Sequence, residues 1–306
     1  MVKRLHLIFD FQFMYYKYKF SIDSGRMKRL TNNKIAKEAG DNIDISYVYY
    51  PLMELESIRK RYTNDSTEVT VSVCFDSKSE RKKENIDYKS NRQGKLGESD
   101  FSYVGTIREI CENAGYNVYK EDGKEADDLV TSLVKKYKDR FDYTLVVTND
   151  SDMAINVSDN SGLYRYKSSL KAYQDINMDT FEEILGNETG CRYPYNTVLL
   201  YKSTVGDKSD KIKGITRFGN AAYQKLLGYL DSTGIDYKSC VNPEYIRKVL
   251  IDSAGYLGRE KVEQAIEALE LVRVREVDVK EPVKSDSKET RKVAYGFYDM
   301  VSLIAD

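Results

Sequence analysis

The chain has 306 residues, 41% hydrophobic and 32% charged, enough for one large domain or two modest ones around a sizeable core. No stretch approaches the roughly 18 uncharged apolar residues of a membrane span, and the opening "MVKRLHLIFDF" has an apolar run too short for a secretion signal, so the expectation is a cytoplasmic chain without membrane contact. The net charge of −1, from 48 Lys and Arg against 49 Asp and Glu, argues against a nucleic-acid partner only if it is spread evenly.

In chain order, "RLHLIFDF" (4–11) reads as a buried strand, and the single histidine, His6, as one of its core residues. "ISYVYYPLMELESIRKRY" (45–62) reads as a helix with Pro51 early in it or kinking it. "EVTVSVCFD" (68–76) alternates and is rich in valine, which indicates a strand. "SDFSYVGTIREICENAG" (99–115) aligns Phe101, Val104, Ile107, Ile110 and Cys111 on one helical stripe and closes on Gly115. "YNVYK" (116–120) is a short strand. "EADDLVTSLVKKYKD" (125–139) is a helix with acids first and lysines last, as its dipole favours, and "DYTLVVTND" (142–150) is a further strand. Strands alternating with helices imply βαβ units and a mainly parallel sheet, an α/β core over residues 1–180. From 181 to 306 the pattern turns helical: "DTFEEIL", "YPYNTVLLYKST", "NAAYQKLLGYL", "NPEYIRKVLIDSAG" and "REKVEQAIEALELV". "RVREVDVKEPV" (273–283) reads as an extended connector and the polar "SDSKETRK" (285–292) as a mobile tail. Cys74, Cys111, Cys191 and Cys240 are far apart, form no CxxC, and read as free thiols rather than a zinc site.

The chemistry is concentrated where strands end. Ligands of open α/β sheets bind at the carboxyl ends of strands. Strand one ends at Asp10, the next at Asp76, and "LVVT" runs into Asp150 and Asp152. "EADD" supplies Glu125, Asp127 and Asp128 at a helix start, and "VGDKSDKIKGI" adds Asp207 and Asp210. Each acid alone is readily a helix cap or a solvated loop residue. Together they cannot stand unneutralised, since two like charges about 4 Å apart cost on the order of 4 kcal/mol near a surface. Hard divalent ions resolve this. An all-oxygen donor set suits Mg²⁺, with Mn²⁺ as substitute, and two ions about 4 Å apart would clamp an in-line phosphoryl displacement. Setting the nine acids aside leaves 40 against 48 Lys and Arg, a shell of about +8 that suits a phosphate backbone.

The ordered motifs resemble the flap endonuclease/5′→3′ exonuclease family, as in bacteriophage 5′ nucleases and the N-terminal nuclease domain of bacterial DNA polymerase I. The quoted pieces are "FD" at 75–76, "RKKENIDYKSNR" at 81–92, "EADD" at 125–128, "DSD" at 150–152 and "GDKSDKIKG" at 206–214. The likeness runs from Asp10 to about Leu227. It implies a PIN-like core, a basic helical arch over about 78–115, and a helix–three-turn–helix over about 200–230. It implies that Asp10, Asp76, Glu125, Asp127 and Asp128 hold a first metal and Asp150, Asp152, Asp207 and Asp210 a second. By the same resemblance, Lys89 and Arg92 neutralise the scissile phosphate with Asp10 at the reacting centre, while Arg81 and Tyr88 lie on the same basic stretch. The resemblance also implies that Tyr16 stacks on a base, with Lys17 following it. Lys211, Lys213, Gly214, Arg217 and Gly219 touch downstream DNA. The implied substrate is DNA with 5′ ends, flaps or RNA–DNA junctions. The implied setting is replication or repair in a cytoplasm (that of the host for a phage protein), as a monomer beside a polymerase or single-strand binding protein.

Three departures stand out. Arg217 takes the place of the first hairpin glycine, Ala221 that of the usual lysine, and Lys211 that of an asparagine. They put the hairpin and any monovalent-ion site in question. "DFQF" also lacks the small residue common after the first Asp. The alternatives are a PIN-like ribonuclease, a junction-binding protein without catalysis, and a calcium-stabilised structural protein.

Overall fold

The computed structural model describes residues 2–30, 44–77, 80, 97–238, 242–272, 274–296 and 300–304. The chain forms two compact units, one comprising Met1–Lys78, Gly94–Asn149 and Glu276–Asp306, the other Ser79–Gln93 and Asp150–Arg275. Among the described residues, no helix is long and apolar enough to cross a membrane.

The first unit is built on strands β1 (Lys3–Asp10), β2 (Thr67–Cys74), β3 (Asn117–Tyr119) and β4 (Tyr143–Val147). Their order is β3-β2-β1-β4 and every pairing is parallel. In β1 each residue from Leu5 to Asp10 is buried, the continuous run expected of a strand covered on both faces. Register places Leu7 between Val71 and Leu145, and Phe9 between Val73 and Val147. The unit's helices are α1 (Phe11–Asp23), α2 (Ser46–Tyr62), α3 (Glu98–Asn113) and α4 (Ala126–Lys136). Pro51 is buried within α2. His6 is a core residue: Nε2 lies 2.7 Å from Ser72 Oγ and the ring stacks on Phe141 at 4.4 Å. Burial, with Arg140 nearby, pushes its pKa down to about 3, so it is neutral.

The second unit opens with a 3₁₀ turn, Ser151–Asn156, and then a hairpin absent from the sequence pattern, β5 (Ser161–Lys167) antiparallel to β6 (Ala172–Ile176). Tyr164 and Tyr173 stack across it at 4.3 Å. Helices α5 (Phe181–Thr189) and α6 (Val198–Val205) follow, then a two-residue ladder of β7 (Gly206–Asp207) and β8 (Ile212–Lys213), then α7 (Asn220–Thr233), α8 (Pro243–Asp252) and α9 (Arg259–Val272). Tyr201 on α6 stacks on Tyr193 at 4.4 Å and meets Tyr223 on α7 edge-on at 5.1 Å, which fixes the two helices together.

The tail expected to be mobile is instead fastened to the first unit. The Asn117 side chain donates to Val283 O at 2.7 Å and accepts from Val283 N at 2.9 Å, so the strap covers the open edge at β3. Tyr119 Oη donates to Lys280 O at 3.0 Å and Thr290 Oγ1 to Ala114 O at 3.1 Å. The segment then forms α10 (Lys288–Gly296), whose buried Tyr295 donates to Glu56 Oε1 on α2 at 2.8 Å. Ser285 and Thr290 reach backbone carbonyls and Arg291 pairs with Asp286, contacts that composition alone does not register.

Candidate active site

The first unit brings five of the expected acids onto one edge of its sheet. Asp10 closes β1 and caps α1, where its Oδ1 accepts from Phe13 N at 3.5 Å; its other oxygen accepts from Thr148 Oγ1, just past β4, at 2.9 Å. Asp76 is exposed two residues beyond β2 and accepts from Ala126 N, at the start of α4, at 2.7 Å. Glu125 is the N-cap of α4, and Asp128 accepts from Glu125 N at 3.3 Å to complete a capping box. Glu125 and Asp128 are buried and Asp127 is half-buried. The shared neighbourhood registers on Cys74: burial first, then the carboxylates of Asp10, Asp127 and Asp76, push its thiol well up. The acids thus rest on backbone N–H groups, a hydroxyl and the positive end of a helix.

The second unit holds the other four acids. Asp150 caps the 3₁₀ turn and accepts from Asp152 N at 2.9 Å. Asp207 on β7 is buried and its Oδ1 accepts from Ser209 N at 2.8 Å and from Asp210 N at 3.4 Å; Asp210 is buried beside it. Between them sits a residue the sequence reading missed. Lys202, on α6, is ion-paired with Asp152 and places Nζ 2.8 Å from Asp207 Oδ2, with 13% of its side chain exposed. Burial works against the charged lysine, yet Asp152 and Asp207 hold its pKa above the usual value. Burial would raise Asp207, but Lys202 and Ser209 hold it well below the carboxylate range. Asp152 goes the other way: burial raises it, with Asp150 and Asp207 adding to the rise, while Lys202 pulls it down. One available signal for Lys202 was that it is the single charged residue of "VLLYKSTV".

The remaining expected residues are scattered. Arg81, Tyr88, Lys89 and Arg92 lie outside the described residues. Tyr16 is 37% exposed on α1. Lys17 pairs with Glu54 on α2 at 2.5 Å. At the base of α3, Asp100 accepts from Tyr15 Oη at 2.6 Å and pairs with Lys19 at 3.1 Å, so α1 and α3 are clamped where the basic stretch re-enters the described chain.

The helix-turn segment runs from β7 through β8 to the start of α7. Lys211 and Arg217 both have φ of +59°, the left-handed conformation that asparagine and glycine adopt at least cost. Gly206, at φ +88°, and Gly214 are required by close approach: a Cβ on Gly214 would stand 2.4 Å from Gly206 N and Thr204 O. Gly219 caps α7 in open space, with no side-chain cap on the helix. Lys213 is exposed on β8.

Among the described residues, no three His, Cys, Asp or Glu side chains converge as a ready-made metal cage. The donor chemistry nonetheless fits a hard cation: both sets offer carboxylate oxygens, and the Lys202 ammonium stands as a cation between two acids of the second.

Residues 7–186 match the family described as "5'-3' exonuclease, N-terminal resolvase-like domain". A DNA polymerase I of Caldicellulosiruptor bescii is 30% identical over 162 residues, 51% of this chain and 18% of that protein. A 5′-3′ exonuclease of Mycoplasma pneumoniae is 26% identical over 149 residues, 48% of this chain and 49% of that protein. The chain therefore spans at most about half the length of these relatives. In fold it is similar to a bacteriophage T5 5′-exonuclease variant, with TM-score 0.54 and 14% identity over 99% of this chain and 90% of that one. A bacteriophage T5 flap endonuclease, solved in a complex with DNA and metal ions, gives TM-score 0.52 and 16% identity over 88% and 99% of the two chains.

Proposed function

Because the chain belongs to the 5′-3′ exonuclease N-terminal resolvase-like family, we propose that it is a metal-dependent, structure-selective 5′ nuclease that hydrolyses DNA phosphodiesters at 5′ ends and flaps. The observation that carries this reading is the disposition of acids. One set lines the carboxyl edge of a parallel sheet, and a second is dense enough that an ammonium is drawn in to neutralise it.

Asp10, Asp76, Glu125, Asp127 and Asp128 would hold one divalent ion, and Asp150, Asp152, Asp207 and Asp210 another, with Mg²⁺ the natural occupant and Mn²⁺ a substitute. The chemistry such ions supply is charge neutralisation of the scissile phosphate and acidification of a water. The chain's own residues do the rest. Thr148 and the α4 N-terminus orient the first carboxylates, so their lone pairs are fixed before substrate arrives. Lys89 and Arg92 supply cations to the phosphate as charge develops on it. Tyr16 offers an exposed ring for a base beside the cut, with Lys17 next to it directed to Glu54. Lys211, Lys213 and Arg217, with the backbone at Gly214 and Gly219, meet the downstream duplex through its phosphates. Replication or repair, primer removal, a phage setting and partnership with a polymerase or single-strand binding protein belong to the same reading, as do a cytoplasmic location and a monomer.

The test is a labelled 5′-flap duplex incubated with Mg²⁺, with EDTA, and with Asp150→Ala and Lys89→Ala variants. Cuts near the junction that need Mg²⁺ and fall sharply in both variants support the reading. A wild type that binds the flap and never cuts it with Mg²⁺ or Mn²⁺ makes the protein a junction-binding module instead.

A further inference from the structure

We propose that Lys202 is a resident counter-ion of the second acid set, competing with the second divalent ion for Asp152 and Asp207. This rests on the two-metal reading above and adds a condition to it: the second ion binds only as the lysine withdraws.

Three separate elements of the second unit meet at one ammonium: α6 brings Lys202, the 3₁₀ turn brings Asp152, and β7 brings Asp207. The ammonium pairs with both carboxylates, at 2.8 Å for Asp207, in a largely buried position. Leaving such carboxylates together without a cation is costly, so some positive charge is needed there in the metal-free protein. A divalent ion seeking the same oxygens cannot share them with the ammonium, since two cations within about 4 Å repel by the same Coulomb law that drew the lysine in. Lysine suits a replaceable role because its charge rides on a flexible four-carbon stem and can leave without a change in α6. The partners named for the first set differ in kind. Thr148 Oγ1 and the backbone N–H groups of Phe13 and Ala126 are neutral donors, and they can remain in place when a cation arrives. When a competing occupant fills a site nine-tenths of the time, apparent affinity there drops about tenfold. That is the size of the effect expected from removing the lysine.

Mn²⁺ binding to the full chain, counted by the electron paramagnetic resonance of the free ion, tests this in wild type, Lys202→Met and Lys202→Gln. The wild type should show one tighter and one weaker class. Both variants should tighten the weaker class about tenfold and leave the tighter one within about twofold. Thermal melting provides the folding control: without metal the variants should melt below wild type, and Mn²⁺ should raise them by more. A weaker class that is unchanged or weakened in both variants, while Mn²⁺ still raises their melting, overturns the competition and leaves the two-metal reading intact. A wild type that binds no Mn²⁺ at all overturns that reading, and this inference with it.

Discussion

The two acid sets solve the same electrostatic problem in different ways. In the first unit, carboxylates are held by groups fixed in the scaffold: the Thr148 hydroxyl, the amide of Ala126 and the capping box of α4. In the second, backbone N–H groups again reach Asp150 and Asp207, and a side-chain cation on α6 is added between Asp152 and Asp207. Fixed dipoles orient an acid and remain; an ammonium neutralises it and can be exchanged. The contrast teaches that crowded carboxylates do not by themselves specify how they are stabilised, and that the stabiliser decides what else can bind.

The largest expected effect removes an acid from either set. Asp10→Asn and Asp152→Asn should each slow single-turnover flap cleavage by about 10²- to 10³-fold, the scale of losing one transition-state charge stabiliser. A small effect in one set alone would show that only the other serves catalysis.

Acid should separate the units next. His6 has a folded pKa of about 3 against an ordinary 6.5, so between those values the unfolded chain binds the extra proton. Stability is full above pH 6.5 and falls as pH drops toward 3, by about 3 kcal/mol at pH 4.5. Asp207, held well below the usual range, keeps its contribution until stronger acid, because a depressed carboxylate loses its stabilisation only as pH falls through its folded value. Urea melts at pH 7 and 4.5 should show this loss, and His6→Gln should flatten it.

Thr148→Val should weaken metal binding to the first set by about 10- to 100-fold, as losing an orienting partner does, and leave the second set unmoved in the same Mn²⁺ titration. The smallest effect concerns the helix-turn segment. Arg217→Gly should stabilise the protein by about 1 kcal/mol in urea melts by relieving a left-handed non-glycine residue, while weakening duplex binding and its salt dependence. Unchanged binding would remove Arg217 from the DNA contacts.

Much of the first unit was legible because its signals are local. Buried strands read as apolar runs, and each acid follows directly on a run or opens a helix, as at Asp10, Asp76 and Glu125. What escaped depends on residues far apart in the chain. Lys202 acquires its role only when folding brings Asp152, fifty positions earlier, to its ammonium. The pairing of Lys17 with Glu54 on α2 likewise joins positions far apart in the chain. The tail at 285–292 is polar in composition, yet Ser285 and Thr290 bond to backbone carbonyls of Gly115 and Ala114. Lys211 and Arg217 both adopt a left-handed backbone conformation, which sequence letters do not carry.

The proposed nuclease activity requires two divalent ions. The most direct measurement is the single-turnover rate of 5′-flap cleavage as a function of Mg²⁺ concentration well below saturation. Two cooperating sets require the rate to rise with a log–log slope approaching two in wild type. A slope of one, or cleavage that persists in EDTA, would contradict the account.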